Sequence, residues 1–92
     1  MLPFEDMALE PPRVRLTRCL INLFEGYGER KAEPSTRVRV SQERLGTMLS
    51  LSRQTVNELL RDLERESIIQ CQRGGVRILD PRRLRDAAQP SP

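Results

Sequence analysis

Arg53 and Gln54 stand side by side where a helical pattern begins, in the stretch SQERLGTMLSLSRQTVNELLRDLE, residues 41–64. Their types suggest one chemistry. A guanidinium donates two parallel hydrogen bonds and fits guanine O6 and N7, and an amide that both donates and accepts fits adenine N6 and N7. Asn57, one turn on, is a third polar side chain on the same outer side. The hydroxyls of Ser52 and Thr55 flank the helix start, where the positive end of the helix dipole favours a phosphate. Ser41, Arg61, Arg73 and Arg77 are further candidates for phosphate contacts. Base readers are therefore expected at Arg53 and Gln54, and phosphate contacts at Ser41, Ser52, Thr55, Arg61, Arg73 and Arg77. Glu58 runs against this reading, because a carboxylate on the same face repels phosphate. It can instead accept from cytosine N4, pair with Arg61 or Arg65, or point aside. The plainer alternative for Arg53 and Gln54 is a solvated helix start, and for Arg73 and Arg77 an exposed strand edge guarded by charge.

Positioning these residues takes a particular set of elements. Pro11-Pro12 opens a helix, as proline does at a first helical position. Val14, Leu16, Cys19, Leu20, Leu23, Phe24 and Tyr27 recur at helical spacing in it, and Gly26 and Gly28 end it. ERKAEPST, residues 29–36, is a polar loop. RVRV, residues 37–40, alternates with period two and predicts a short strand. Ser41 caps a helix with Leu45, Met48 and Leu49 on its apolar face. Ser50-Leu51-Ser52 breaks that helix, and Ser52 caps the next one. Thr55, Val56, Leu59, Leu60 and Leu63 turn inward from it. Gly46 supplies the small residue needed where the two helices come closest. SIIQCQ and VRILD are strands joined by a hairpin at Arg73-Gly74-Gly75, whose two glycines offer the positive φ of a tight turn. Asp80-Pro81 caps a last short helix. The expected fold is α+β, a winged helix-turn-helix with about three main helices, a small antiparallel sheet with a hairpin wing, and a short C-terminal helix. Residues 11–86 form this domain, 1–10 a linker-like start and 87–92 a disordered tail.

Composition narrows the partner. The 92 residues carry a net charge of +3, and the pI of about 9.5 leans toward an anion. Of the 16 basic residues only Lys31 is lysine, and arginine suits bidentate contacts to phosphate and base edges. There is no histidine, which removes histidine metal sites and general bases. Cys19 and Cys71 lack metal or redox spacing and read as small core residues in a reducing cytoplasm. No run nears the roughly 18 apolar residues of a membrane span, and MLPFEDMALE is too acidic for a signal peptide. Nothing in the sequence calls for a cofactor, a metal or a catalytic nucleophile, so no enzyme is expected. The few aromatics argue against single-stranded RNA.

VSQERLGTMLSLSRQTVNELLRDLERESII resembles the helix-turn-helix of the Crp/Fnr family of bacterial transcription regulators, with SRQTV at Ser52–Val56 as its most specific part. PPRVRLTRCLINLF is similar to the helix that follows the family's dimer helix and hinge, and RGGVRILD is similar to its wing. The resemblance implies a homodimeric regulator on a two-fold symmetric duplex site, with RNA polymerase as a further partner. It puts Arg53 on a base, commonly guanine, and Asn57 at another base-facing position. Gln54 stands where many members have glutamate, and Glu58 where the best-known members have arginine. Ser50 replaces the usual turn glycine. The family's effector-binding barrel and dimer helix have no counterpart here, so either a DNA-binding domain cut from a longer regulator or a short stand-alone relative is expected, and the linker-like start favours the first. The alternative function is a winged-helix protein-docking module without DNA binding, which the acids Glu58, Asp62, Glu64 and Glu66 favour.

Overall fold

The computed structural model describes residues 10–28 and 37–89. The expected polar loop, most of the linker-like start and the end of the tail lie outside these residues, as does the side chain of Tyr27. Helix α1 (Pro12–Gly28) leads to β1 (Arg37–Val38), α2 (Gln42–Leu49), α3 (Arg53–Arg65), β2 (Ile69–Gln72), β3 (Gly75–Ile78) and α4 (Pro81–Ala87). The strands pair antiparallel in the order β1-β3-β2. This is the winged helix-turn-helix that the sequence predicts.

Local chemistry sets the helix ends. The Arg44 N–H donates to Ser41 Oγ and the Thr55 N–H to Ser52 Oγ, each at 3.0 Å, so both hydroxyls satisfy an otherwise orphaned helix donor. Asp80 does the same for the Arg83 N–H, with Pro81 opening α4. Ser50 ends α2 in the left-handed region, at φ 58°. A serine there costs about 1 kcal/mol relative to glycine, and the N–H groups of Ser50 and Leu51 both donate to the Gly46 carbonyl.

One core joins every element. Leu16 and Leu20 of α1, Leu45 of α2, Val56, Leu60 and Leu63 of α3, Ile69, Val76 and Ile78 of the sheet and Leu84 of α4 are almost fully buried. Apolar burial at about 25 cal/mol per Å² is the dominant favourable term for a domain this small.

Several expectations are corrected. Met48 is 49% exposed, since the eight-residue α2 turns only Leu45, Gly46 and Leu49 fully inward. Cys19 and Cys71 are half-buried against the core, where desolvation raises both thiols above their ordinary pKa. Only Gly74 has positive φ in the hairpin. Gly75 is needed for a different reason: a Cβ there would lie 2.4 Å from the Val38 carbonyl oxygen. That close approach is where β1 ends, so pairing covers Arg37 and Val38 but not Arg39 and Val40. The last helix, read in the sequence as PRRLRDAA, runs to Ala87 with Ala88 as its buried cap, so the tail starts after these two residues and not at 87.

Thr17 is fully buried on α1. Its hydroxyl lies 2.9–3.0 Å from the carbonyls of Arg13 and Val14 and 3.0 Å from that of Ala87, which ties α1 to α4. A second tie is ionic. Arg13 grips both carboxylate oxygens of Glu66 at 2.8 and 3.0 Å, and Arg83 donates to the Glu66 carbonyl at 2.8 Å. The Arg13 guanidinium holds the Glu66 carboxyl below the usual range, and Arg18 does the same for Glu10. A carboxyl whose folded pKa is depressed stabilises above its unfolded pKa and loses that contribution as pH falls through the folded value. Stability is expected to fall on acidification below the ordinary value of 4.5. Urea midpoints followed down in pH should show a shallower fall in Glu66→Gln, and the step should be small because the pair is exposed.

Candidate nucleic-acid interface

Helix α3 sits on the protein by one stripe, Val56, Leu60 and Leu63, which is buried. Its opposite side carries Arg53, Gln54, Glu58 and Arg61, all exposed. The close crossing that frees this side depends on Gly46, where a Cβ would lie 2.6 Å from the Leu51 carbonyl oxygen and 3.8 Å from a Val56 methyl. The tightest contact is thus with the turn, not with the second helix itself.

Arg53 is the first residue of α3, exposed and without a hydrogen bond or ion pair to any described residue. Gln54 donates to Glu58 at 3.4 Å, so Glu58 is drawn along the helix toward its amide, while Arg65 pairs with Asp62. Thr55 is half-buried, and the Ser52 hydroxyl donates to Thr55 Oγ1 at 2.9 Å. Asn57 is half-buried, with one hydrogen bond at each end of its amide. Its Nδ2 donates to Gln42 Oε1 at 3.3 Å, and its Oδ1 accepts from Arg61 Nε at 3.2 Å.

The wing meets this helix start across a cleft of about 260 Å³ bordered by Ser41, Gln42, Arg53, Gly74 and Gly75. Arg73 is exposed on the turn beside Gly74. Arg77 is exposed on β3 directly opposite Arg37, and Arg37 donates to the Arg73 carbonyl at 3.2 Å. Arg73 and Arg77 thus place two exposed guanidiniums on the wing. The expected site residues therefore form two groups: Ser41, Ser52, Arg53, Gln54 and Thr55 around the helix starts, and Arg73 with Arg77 on the wing. Arg61 and Asn57 lie further along α3. Gln42 was missed. Its link to Asn57 spans 15 residues of sequence, and no local spacing signals it.

The acids that suggested a docking surface are largely used inside the fold. Glu66 binds Arg13, Asp62 binds Arg65, and Glu64 accepts from the Cys71 N–H at 3.0 Å. Among the described residues no helix is long and apolar enough to cross a membrane.

A winged helix-turn-helix with a polar recognition-type helix face defines a class of nucleic-acid-binding fold. The chain belongs to the Crp-like helix-turn-helix domain family, whose model matches residues 14–87. Its fold is similar to that of a putative transcriptional regulator of the Crp/Fnr family from Eubacterium rectale, at a TM-score of 0.79 and 20% identity over 91% of this chain and 36% of that one. A Crp/Fnr-family transcriptional regulator from Thermus thermophilus gives a TM-score of 0.78 at 24% identity over 91% of this chain and 43% of that one. A Crp-family regulator from the same organism gives 0.74 at 27% identity, again over 91% and 43%. The chain thus spans about two fifths of the length of these solved structures. No curated protein matches it in sequence.

Proposed function

We propose that the domain binds duplex DNA sequence-specifically for transcription control, with the start of α3 in the major groove. The observation that carries this is Arg53: a guanidinium at the first position of a helix, exposed, unpaired among the described residues, and beside a wing of further arginines. Arg53 and Gln54 read base edges in this account. The groups around Ser41, Ser52 and Thr55, together with Arg61, Arg73 and Arg77, face phosphates. Family membership supports a two-fold symmetric site engaged by two copies, as part of a longer homodimeric regulator that also meets RNA polymerase, with half-sites about one helical turn apart.

Fluorescence anisotropy with a duplex selected from a random pool, against a scrambled duplex at two salt concentrations, tests the reading. The selected duplex should bind more tightly, and both affinities should fall steeply with salt. Absence of binding to either at low salt would refute it and favour protein docking. Arg73→Ala should weaken binding to both duplexes alike and reduce the magnitude of the salt slope by about one, the signature of one lost phosphate contact. A loss confined to the selected duplex would contradict a phosphate role.

A further inference from the structure

We propose that a groove between α1 and α2 is a docking surface for the chain's own residues 1–9, with Phe4 as the side chain that fills it. The inference goes beyond the DNA reading and uses none of the residues assigned to DNA.

The groove has a volume of about 360 Å³ and runs between α1 and the C-terminal end of α2. Cys19 and Leu23 of α1 and Met48 and Leu49 of α2 supply its apolar walls. Met48 is half exposed, and Cys19 and Leu23 are only partly covered by the core. Contiguous apolar surface of this kind marks a contact site. The charges along it lean positive. Arg18 grips both carboxylate oxygens of Glu10 at 2.8 and 2.6 Å. Arg15 donates to the Leu49 carbonyl and has no ion pair among the described residues. One positive charge is thus left over at the groove.

The chemistry of residues 1–9 matches this surface. Their sequence is MLPFEDMAL, in which Leu2, Phe4, Met7 and Leu9 are apolar. Glu5 and Asp6 carry the only side-chain charges, so the segment is acidic where the groove is basic. The described chain begins at Glu10, on the wall of the groove. Residues 1–9 are therefore tethered at its edge, at a high effective concentration. Six residues extended span about 20 Å, twice the roughly 10 Å between the axes of packed helices. Phe4 can therefore reach Met48 even along an indirect path. A second copy of the chain would have to bring the same residues without the tether. Seated there, the segment ties the chain entering the domain to α2, the helix that meets α3 at Gly46.

Two measurements on the full chain test the proposal. Cys19 lines the groove and reports its cover, while Cys71 on β2 serves as an internal control. Iodoacetamide alkylation can be followed at each cysteine by peptide mass spectrometry. In Phe4→Ala, Cys19 should react faster by about threefold, the change expected if the segment covers the groove about two thirds of the time. Cys71 should react as before. An unchanged Cys19 rate would overturn the proposal. So would a Cys19 rate that rises on dilution of the unaltered chain, which would place a second copy in the groove. By NMR, the Phe4 ring should show nuclear Overhauser contacts to the methyl groups of Met48 and Leu23. Their absence would overturn the placement of Phe4. Neither readout involves DNA, so failure here would leave the DNA reading standing.

Discussion

Arg53→Ala is expected to erase the base preference of the domain at one position of its site. Arg53 stands at the start of α3, exposed and uncommitted to other described residues, so its removal leaves no buried partner stranded and should not unfold the protein. What is lost is one bidentate contact, worth about 1–3 kcal/mol of discrimination. Affinity for the preferred duplex should therefore fall by about fivefold to 150-fold. Affinity for scrambled duplex should fall much less, because non-specific binding comes from phosphate neutralisation. Arg53→Lys keeps the charge but not the planar fork, and should keep non-specific affinity while losing most of the base preference. Repeating the random-pool selection with each variant checks both points. An unchanged preference in Arg53→Ala would remove Arg53 from base reading.

Gly46→Val should damage the bihelical unit itself. Helix propensity alone favours the change slightly, by about 0.4 kcal/mol. Packing opposes it, since the added Cβ would sit 2.6 Å from the Leu51 carbonyl oxygen, which is backbone in a short turn and has no rotamer to yield. Overpacking of this kind costs about 3 kcal/mol, so packing wins. That is a large share of the roughly 5–15 kcal/mol that holds a domain together. Gly26→Ala is the matching control. It lies inside α1 with nothing within 4 Å of its added Cβ, so propensity acts alone and should raise stability by up to about 1 kcal/mol. Urea midpoints should move in opposite directions for the two variants. A Gly46→Val domain as stable as the unaltered one would mean that the close approach is not real.

The helix-turn-helix was legible because its determinants are local. Ser41 and Ser52 announce caps, and Val56, Leu60 and Leu63 repeat at helical spacing on a helix whose other side is polar. Gly46 could be assigned a close approach from its place in the pattern, although its contact with Leu51 could not. What escaped depends on contacts between distant segments. Thr17 reads as a polar gap in an apolar stripe, and only the arrival of α4 explains its burial. Gly75 looks like half of a turn until β1 is laid against it. The extent of β1 is set by that neighbour and not by the alternation of RVRV. Helix phase puts Asn57 on the outer side; its hydrogen bonds to Gln42 and Arg61, one on another helix and one a turn away, could not be read from that phase. Ser67, with φ 62°, ends the turn after α3 in a conformation that no residue type flags there.

The account stands most directly on the placement of Arg53 against a guanine in the major groove. The decisive measurement is the affinity of the unaltered domain and of Arg53→Ala for the selected duplex in which single guanines are replaced by 7-deazaguanine, which lacks the N7 acceptor but still pairs with cytosine. One replacement should weaken the unaltered domain severalfold and leave Arg53→Ala unaffected. Equal sensitivity of the two proteins at every guanine, or none in either, would contradict the claim that Arg53 reads the major-groove edge.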